Sequence, residues 1–211
     1  MIAPVAARST SRRALGWTLC LLAFWAMQAS AAQVSSVRVK RDGARFQIDM
    51  HLTIDASAPA VFRALQDYGA MARYNPDLRS MRVEQTRTPD RVRLFTTIHA
   101  CVLIFCQTMH QEQIMTATAS ADGGTLDAEM LPHSGDFERG HGLWTVKPCS
   151  RGRTMTCMAV QIQLVPAFWV PPVIGSWVLE RKMDEEARRT AAGLEQTAQR
   201  LMKAGRPEAD S

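Results

Sequence analysis

Apolar and polar positions alternate along much of this chain. Phe46, Ile48, Met50, Leu52 and Ile54 interleave with Gln47, Asp49, His51, Thr53 and Asp55, the period of a half-buried strand. Asp42-Gly43 just ahead of them makes a hairpin turn that joins Val37 and Val39 to that strand. Further strands are expected near 79–87, 90–100, 106–119, 125–131, through 144–146 and at 153–165. Between them lie turn signals: Thr88-Pro89-Asp90, Asp122-Gly123-Gly124, 132–135 and 148–152. Counting 44–54, the pattern predicts seven strands, nearly all in consecutive hairpin order.

Helical spacing occurs in two places. Ser57 stands where an N-cap belongs, Pro59 falls in the first turn, and Val61, Phe62 and Leu65 share one face. Gly69 interrupts that helix, and a second short one is expected over 71–74, ended by Pro76. Near the end, Pro171-Pro172 precedes a stretch without proline until Pro207. Within it Met183, Ala187, Ala191, Leu194, Ala198 and Leu201 recur at intervals of three and four, one face of a long helix. Arg181 with Glu185, Asp184 with Arg188, and Glu185 with Arg189 are i,i+4 pairs on its solvated side.

The first 31 residues follow a different rule. Arg8, Arg12 and Arg13 precede an uncharged apolar run over 14–27, and Ala29-Ser30-Ala31 has the small-x-small form of a cleavage site. That is the pattern of a secretory signal peptide, and the run is shorter than the ~20 residues of a spanning helix. The domain organisation read here is a signal peptide at 1–31, one domain at 32–203 and a disordered tail at 204–211. The product would be exported, and periplasmic. Loss of three arginines with the leader lowers the net charge from +5 to +2, and no basic stripe carries interleaved aromatics, so a nucleic-acid partner is not expected. Four cysteines remain: Cys101, Cys106, Cys149 and Cys157. In an exported chain they read as two disulfides, for which three pairings exist. Cys101–Cys106 and Cys149–Cys157 are favoured, because each pair brackets a hairpin turn. Neither pair has C-x-x-C spacing, so no metal is expected, and no phosphate loop or Gly-x-Ser-x-Gly elbow calls for a cofactor or a serine nucleophile.

Several segments resemble the SRPBCC or START-like superfamily. Leu65-Gln66-Asp67-Tyr68 followed by Tyr74-Asn75-Pro76 is similar to its opening helix pair. Asp136-Phe137-Glu138-Arg139-Gly140 with Trp144 resembles a middle strand. Phe168-Trp169-Val170-Pro171-Pro172-Val173-Ile174-Gly175 leading to Glu180-Arg181-Lys182 resembles the exported, polyketide-cyclase or coenzyme-Q-binding-like branch. The resemblance spans 34–203. It implies an α+β helix-grip fold, as in START and Bet v 1 proteins: a curved seven-stranded antiparallel sheet on a long C-terminal helix, with two short helices after the first strand. It also implies a hydrophobic ligand, such as a lipid, quinone, sterol or polyketide. It carries over no catalytic residue.

In such a fold the apolar, adaptable side chains of Phe95, Met130, Phe137, Trp144, Met158, Ile174, Trp177 and Met183 are the expected cavity lining. A meander brings the loops after its third, fifth and seventh strands to one end, where the resemblance places a cavity mouth. There Val102, Leu103, Ile104 and Phe105, with Phe168 and Trp169, form apolar tips suited to transient contact with a membrane surface. They read equally well as a buried strand continuation. His133, Asp136, Glu138 and His141 gather near the same end, and a histidine beside carboxylates suits acid–base work such as cyclisation or dehydration. They also read as a polar surface loop. Binding and carriage of a hydrophobic molecule is the leading expectation, ahead of a cyclase or dehydratase and of a protein-partner module.

Overall fold

The computed structural model describes residues 32–75, 77–150 and 154–204. The expected leader at 1–31, Pro76, part of the turn at 148–152 and the tail beyond Ala204 lie outside the described residues. Strands β1 (Gln33–Asp42), β2 (Arg45–Ile54), β3 (Leu78–Gln85), β4 (Arg91–Val102), β5 (Phe105–Ser120), β6 (Gly123–Met130), β7 (Phe137–Pro148) and β8 (Thr156–Pro166) form one antiparallel sheet. Their order is β1-β2-β8-β7-β6-β5-β4-β3. The sheet thus has eight strands where the pattern predicts seven. The extra one is β1, the hairpin partner of β2 through Asp42-Gly43. Its alternation is weak because Val39 is its one buried residue, so it does not stand out as a strand on its own. The two short helices follow β2, the first of the seven strands expected.

Helices α1 (Ala58–Leu65) and α2 (Tyr68–Tyr74) carry the chain from β2 to the far edge at β3, from which the meander returns. The break between them falls at Gln66–Asp67, before Gly69. Asp67 Oδ1 accepts from the Ala70 amide at 3.0 Å and so caps α2. The second helix therefore starts three residues earlier than the glycine suggests.

Alternate connections fall on opposite ends of the sheet. The β1–β2, β4–β5 and β6–β7 turns share one end with the segment after β8, and this is the expected mouth end. β1 begins at the other end, with Gln33 beside Thr53. Helix α3 (Ser176–Ala204) runs back over the sheet from the mouth end. Near its start Glu180 Oε1 accepts from the Val39 amide at 2.9 Å. Near its finish Glu195 Oε2 accepts from the Asp55 amide and Gln199 Nε2 donates to the Asp55 carbonyl, both at 2.9 Å. Of the expected charge pairs, Asp184–Arg188 and Glu185–Arg189 form.

The main core lies at the far end, with a smaller buried cluster of Val39, Phe46 and Ile48 at the mouth end of β1 and β2. Ala187, Ala191, Leu194 and Ala198 of α3 pack with Ile54, Leu94, Leu126, Val146 and Val160 of the sheet, and with Val61, Phe62 and Leu65 of α1. Small residues on α3 here serve close packing. Gly193 is the extreme case: a β-carbon there would collide with Cβ and Cγ of Tyr74. Gly193→Val should therefore force α2 and α3 apart. A loss of about 2 kcal/mol or more is expected, within the range for overpacked sites, as a lower urea midpoint at unchanged slope.

Candidate functional site

Burial along the sheet–helix interface is uneven. Before Ala187, no residue of α3 is fully buried. Strand parity sets which sheet side chains face that stretch. Met130 follows Ala128 and Leu126, Ile162 follows Val160, Trp144 precedes Val146, and Ile98 and Thr96 follow Leu94. These mouth-end side chains are half-buried apart from Thr96, whereas their far-end neighbours are buried. Glycines make room in the middle: a β-carbon on Gly140 would meet the Met130 thioether, and one on Gly142 would lie 2.8 Å from the Trp144 ring. Met130 and Trp144 therefore lie over bare backbone.

The expected cavity residues divide. Met158 is in the main core, and Met183 packs on Val39, Phe46 and Ile48. Phe137 is buried and meets Phe168 edge-on, ring centroids 6.4 Å apart. Ile174 is buried in the segment leading to α3. Two residues stand apart from the helix-facing side of the sheet. Phe95 has the opposite parity from Leu94 and lies between guanidinium groups, with Arg82 at 3.9 Å and Arg93 at 5.2 Å from its centroid. Trp177, on the first turn of α3, is 70% exposed. An open depression of about 410 Å³ lies against β3, β4, β5 and the β6–β7 loop, and Phe95 is in its lining with Met81, Arg82, Thr96, Gln111 and Ser134.

Polar groups accompany this apolar surface. Thr96 Oγ1 is buried without a hydrogen-bond partner among the described residues, as are Tyr74 Oη and Glu186 Oε2. Lys182 Nζ bridges Glu186 at 2.8 Å and Asp77 at 3.1 Å, tying the first half of α3 to the start of β3. Burial pulls the Lys182 ammonium down, but hydrogen bonds to Glu186 and Asp77 outweigh it and the net shift is upward. Burial pushes the Tyr68 and Tyr74 phenols up to about 12. All three groups bind protons more tightly when folded, so their contribution is intact at neutral pH and fades as alkali titrates them. The urea midpoint should hold between about pH 7 and 9 and fall between about 10 and 12. Lys182→Met, which leaves two carboxylates facing each other, should cost about 1–3 kcal/mol at pH 7.

The mouth end is apolar and exposed. Val102 pairs with Phe105, so Leu103 and Ile104 alone form the β4–β5 turn. Ile104 is 89% exposed and Leu103 68%, with Phe105 also exposed and Val102 half-buried. Leu103 has φ +56°, a conformation that two-residue hairpins normally give to Gly or Asn. The expected Cys101–Cys106 disulfide closes the strands below this tip, and Cys149–Cys157 forms at the far end. Across the mouth, Trp169, Val173 and Trp177 are exposed, while Phe168 is half-buried. Their segment is held by Arg41, a residue that no linear pattern reveals. Its guanidinium donates to the carbonyls of Val170, Pro171 and Ile174 at 3.1–3.3 Å. It also donates to Gly43 O at 3.1 Å and lies 5.2 Å from the Phe46 ring centroid.

The four acid–base candidates make their contacts separately. Asp136 Oδ2 accepts from the His110 amide at 2.6 Å, its own amide donates to His110 O, and its carbonyl accepts from the Ala167 amide. It thereby knots the β6–β7 loop to β5 and to the segment after β8. His141 Nε2 lies 2.8 Å from Asp127 Oδ2 of β6. His133, at φ +57°, and Glu138 are exposed. Among the described residues, no helix is long and apolar enough to cross a membrane.

Solved structures share this architecture. The Zhui aromatase/cyclase of a Streptomyces species superposes with a TM-score of 0.58 at 13% identity, over 76% of this chain and 98% of that one. A STAR-related lipid transfer protein of Xanthomonas axonopodis gives 0.55 at 16%, over 78% and 99%. Human StAR-related lipid transfer protein 5 gives 0.58 at 10%, over 88% and 94%. At these identities the likeness is one of fold. No curated protein matches the chain. Residues 45–199 match the family described as polyketide cyclase / dehydrase and lipid transport. With a sheet gripping a long C-terminal helix and a match over most of its length, the chain belongs to that family of the START-like helix-grip superfamily, whose modules bind or transport hydrophobic small molecules or cyclise and dehydrate them.

Proposed function

We propose that this protein binds and carries a lipid, quinone or sterol-like molecule between the first half of α3 and the mouth-end face of the sheet, exchanging it at a membrane surface. The observation that carries this reading is the burial gradient. Met130, Trp144 and Ile162 stay half-buried in the region where α3 has no fully buried residue, while the far end is packed solid. Such apolar side chains leave the water-contacting side of their surface free for a ligand, at roughly 25 cal/mol per Å² of apolar area buried. Thr96 Oγ1, buried without a partner, suits one polar group on an otherwise apolar molecule. Export and cleavage after Ala31 would place the protein in the periplasm, beside membranes from which to load.

Native mass spectrometry with organic extraction, on protein purified from the periplasm of its own cells, tests carriage directly. A co-purifying lipid, quinone or sterol is the expected result. A protein that arrives empty and then ignores a lipid panel would refute carriage. Cyclase or dehydratase chemistry through His133, Asp136, Glu138 and His141 fits the contacts less well, because Asp136 is committed to His110 and His141 to Asp127.

A further inference from the structure

We propose that the base of the β4–β5 hairpin, once its disulfide is reduced, is a binding site for a thiolate-seeking divalent cation such as zinc, with Cys101, Cys106 and His99 as protein ligands. This rests on the hairpin alone and is independent of ligand carriage. Cys101 pairs with Cys106 across the ladder, and His99 pairs with Thr108. In β strands, residues two apart share a face. The four side chains therefore form a two-by-two patch on one face, just below the Leu103-Ile104 tip. The donor atoms of His99, Cys101 and Cys106 lie within 4.8 Å of one another, and Cys106 is exposed.

The imidazole is already aimed. His99 Nε2 is 3.9 Å from Cys101 Sγ, and its Nδ1 is 2.9 Å from Thr108 Oγ1. With Nδ1–H donating to that hydroxyl, the Nε2 lone pair faces the sulfurs, the arrangement by which an outer hydrogen bond orients a ligating histidine. Zinc at about 2.3 Å from sulfur and about 2.0 Å from nitrogen would sit with its ligand atoms about 3.5–3.8 Å apart. The donor atoms, already within 4.8 Å of one another, are close to that spacing. A disulfide that only stapled the hairpin would not need an oriented histidine. Three protein ligands leave the fourth position to solvent, as in sites that do more than hold structure. The linear spacing conceals the set, because its members meet only across the hairpin.

The chemistry balances simply. A dithiol reductant supplies two electrons and two protons, the Cys101–Cys106 bond breaks into two thiols, and the reductant becomes a disulfide. The cation then displaces both thiol protons to solvent and keeps its oxidation state.

The test titrates Co²⁺ into the whole protein, reduced with a dithiol and desalted without oxygen. The expected result is one equivalent bound, with a thiolate-to-cobalt charge-transfer band that Zn²⁺ abolishes, and no band in the oxidised protein. Cys101→Ser with Cys106→Ser should remove the band, while Cys149→Ser with Cys157→Ser should keep it. His99→Ala should weaken binding about tenfold or more, with the circular-dichroism spectrum unchanged. Any of three results overturns the proposal: reduced protein that shows no band, a band that survives loss of Cys101 and Cys106, or His99→Ala binding cobalt as tightly as the parent.

Discussion

Replacing Ile104 and Phe105 together with aspartate is expected to abolish binding to anionic phospholipid vesicles while leaving the fold intact. Both halves follow from position. Ile104 is 89% exposed at the tip of a two-residue turn, so it contributes almost nothing to the core. Removing exposed side chains of this kind changes stability by about 0.5 kcal/mol or less. On a bilayer the same side chain matters greatly. Burying one large aliphatic or aromatic group is worth about 1.5–3 kcal/mol, and placing aspartate at depth costs about 2.5–3.5 kcal/mol in insertion experiments. Two such changes amount to well over a hundredfold in partitioning, enough to move the protein from the floating vesicle fraction to the bottom of the gradient in a flotation assay. Urea unfolding of the variant is the control. A folded variant that still co-floats with vesicles would remove the membrane from the proposal.

The second large effect concerns Arg41, on the opposite rim. Arg41→Ala withdraws the donor from the carbonyls of Val170, Pro171 and Ile174 at once, and takes a cation from beside the Phe46 ring. These carbonyls lie in a segment without a sheet or helix ladder of its own. A loss of about 2–4 kcal/mol is expected, from several hydrogen bonds to a charged donor. The segment displaying Trp169 and Val173 should become the first to exchange amide hydrogens, which mass spectrometry reads peptide by peptide. Arg41→Lys should recover little, since one ammonium cannot reproduce a planar fork that serves several acceptors. Protection of 167–175 that is the same in Arg41→Ala as in the parent would show that the loop is held by other means.

Much of the architecture could be read from linear pattern because the forces that set it are periodic. Strand β2 alternates cleanly because one side meets core and the other does not, and the i, i+4 stripe on α3 comes from the same asymmetry. Strand β1 was the weak point: lying at an edge, it buries Val39 alone. The site was less legible, since it depends on parity and on encounters between distant segments. Phe95 reads as a cavity residue by type and does line the open depression on β3–β5, but the pairing of β4 sets it on the face opposite Leu94, between two guanidinium groups. Asp136 looks like an acid–base partner of its sequence neighbours, yet its carboxylate is taken up by a β5 amide 26 positions earlier. Arg41 and Lys182 sit in stretches that read as ordinary charged surface. Lys182–Glu186 has the i,i+4 spacing of a helix pair, but Asp77 and the carbonyls that Arg41 serves lie far along the chain, and no spacing rule connects them.

The direction of β1 separates the front of the domain from its apolar rim. The strand enters the sheet beside Thr53, at the end away from Ile104 and Trp169. Ten residues at about 3.3 Å each separate that entry from the Asp42 turn. The rim therefore carries its own reporters, far from where the domain begins. Trp169 and Trp177, both exposed, should lose their quenching by soluble iodide when vesicles are added to the parent protein and keep it in the Ile104→Asp, Phe105→Asp variant, so that the tryptophans gauge how deeply the domain's face settles into lipid.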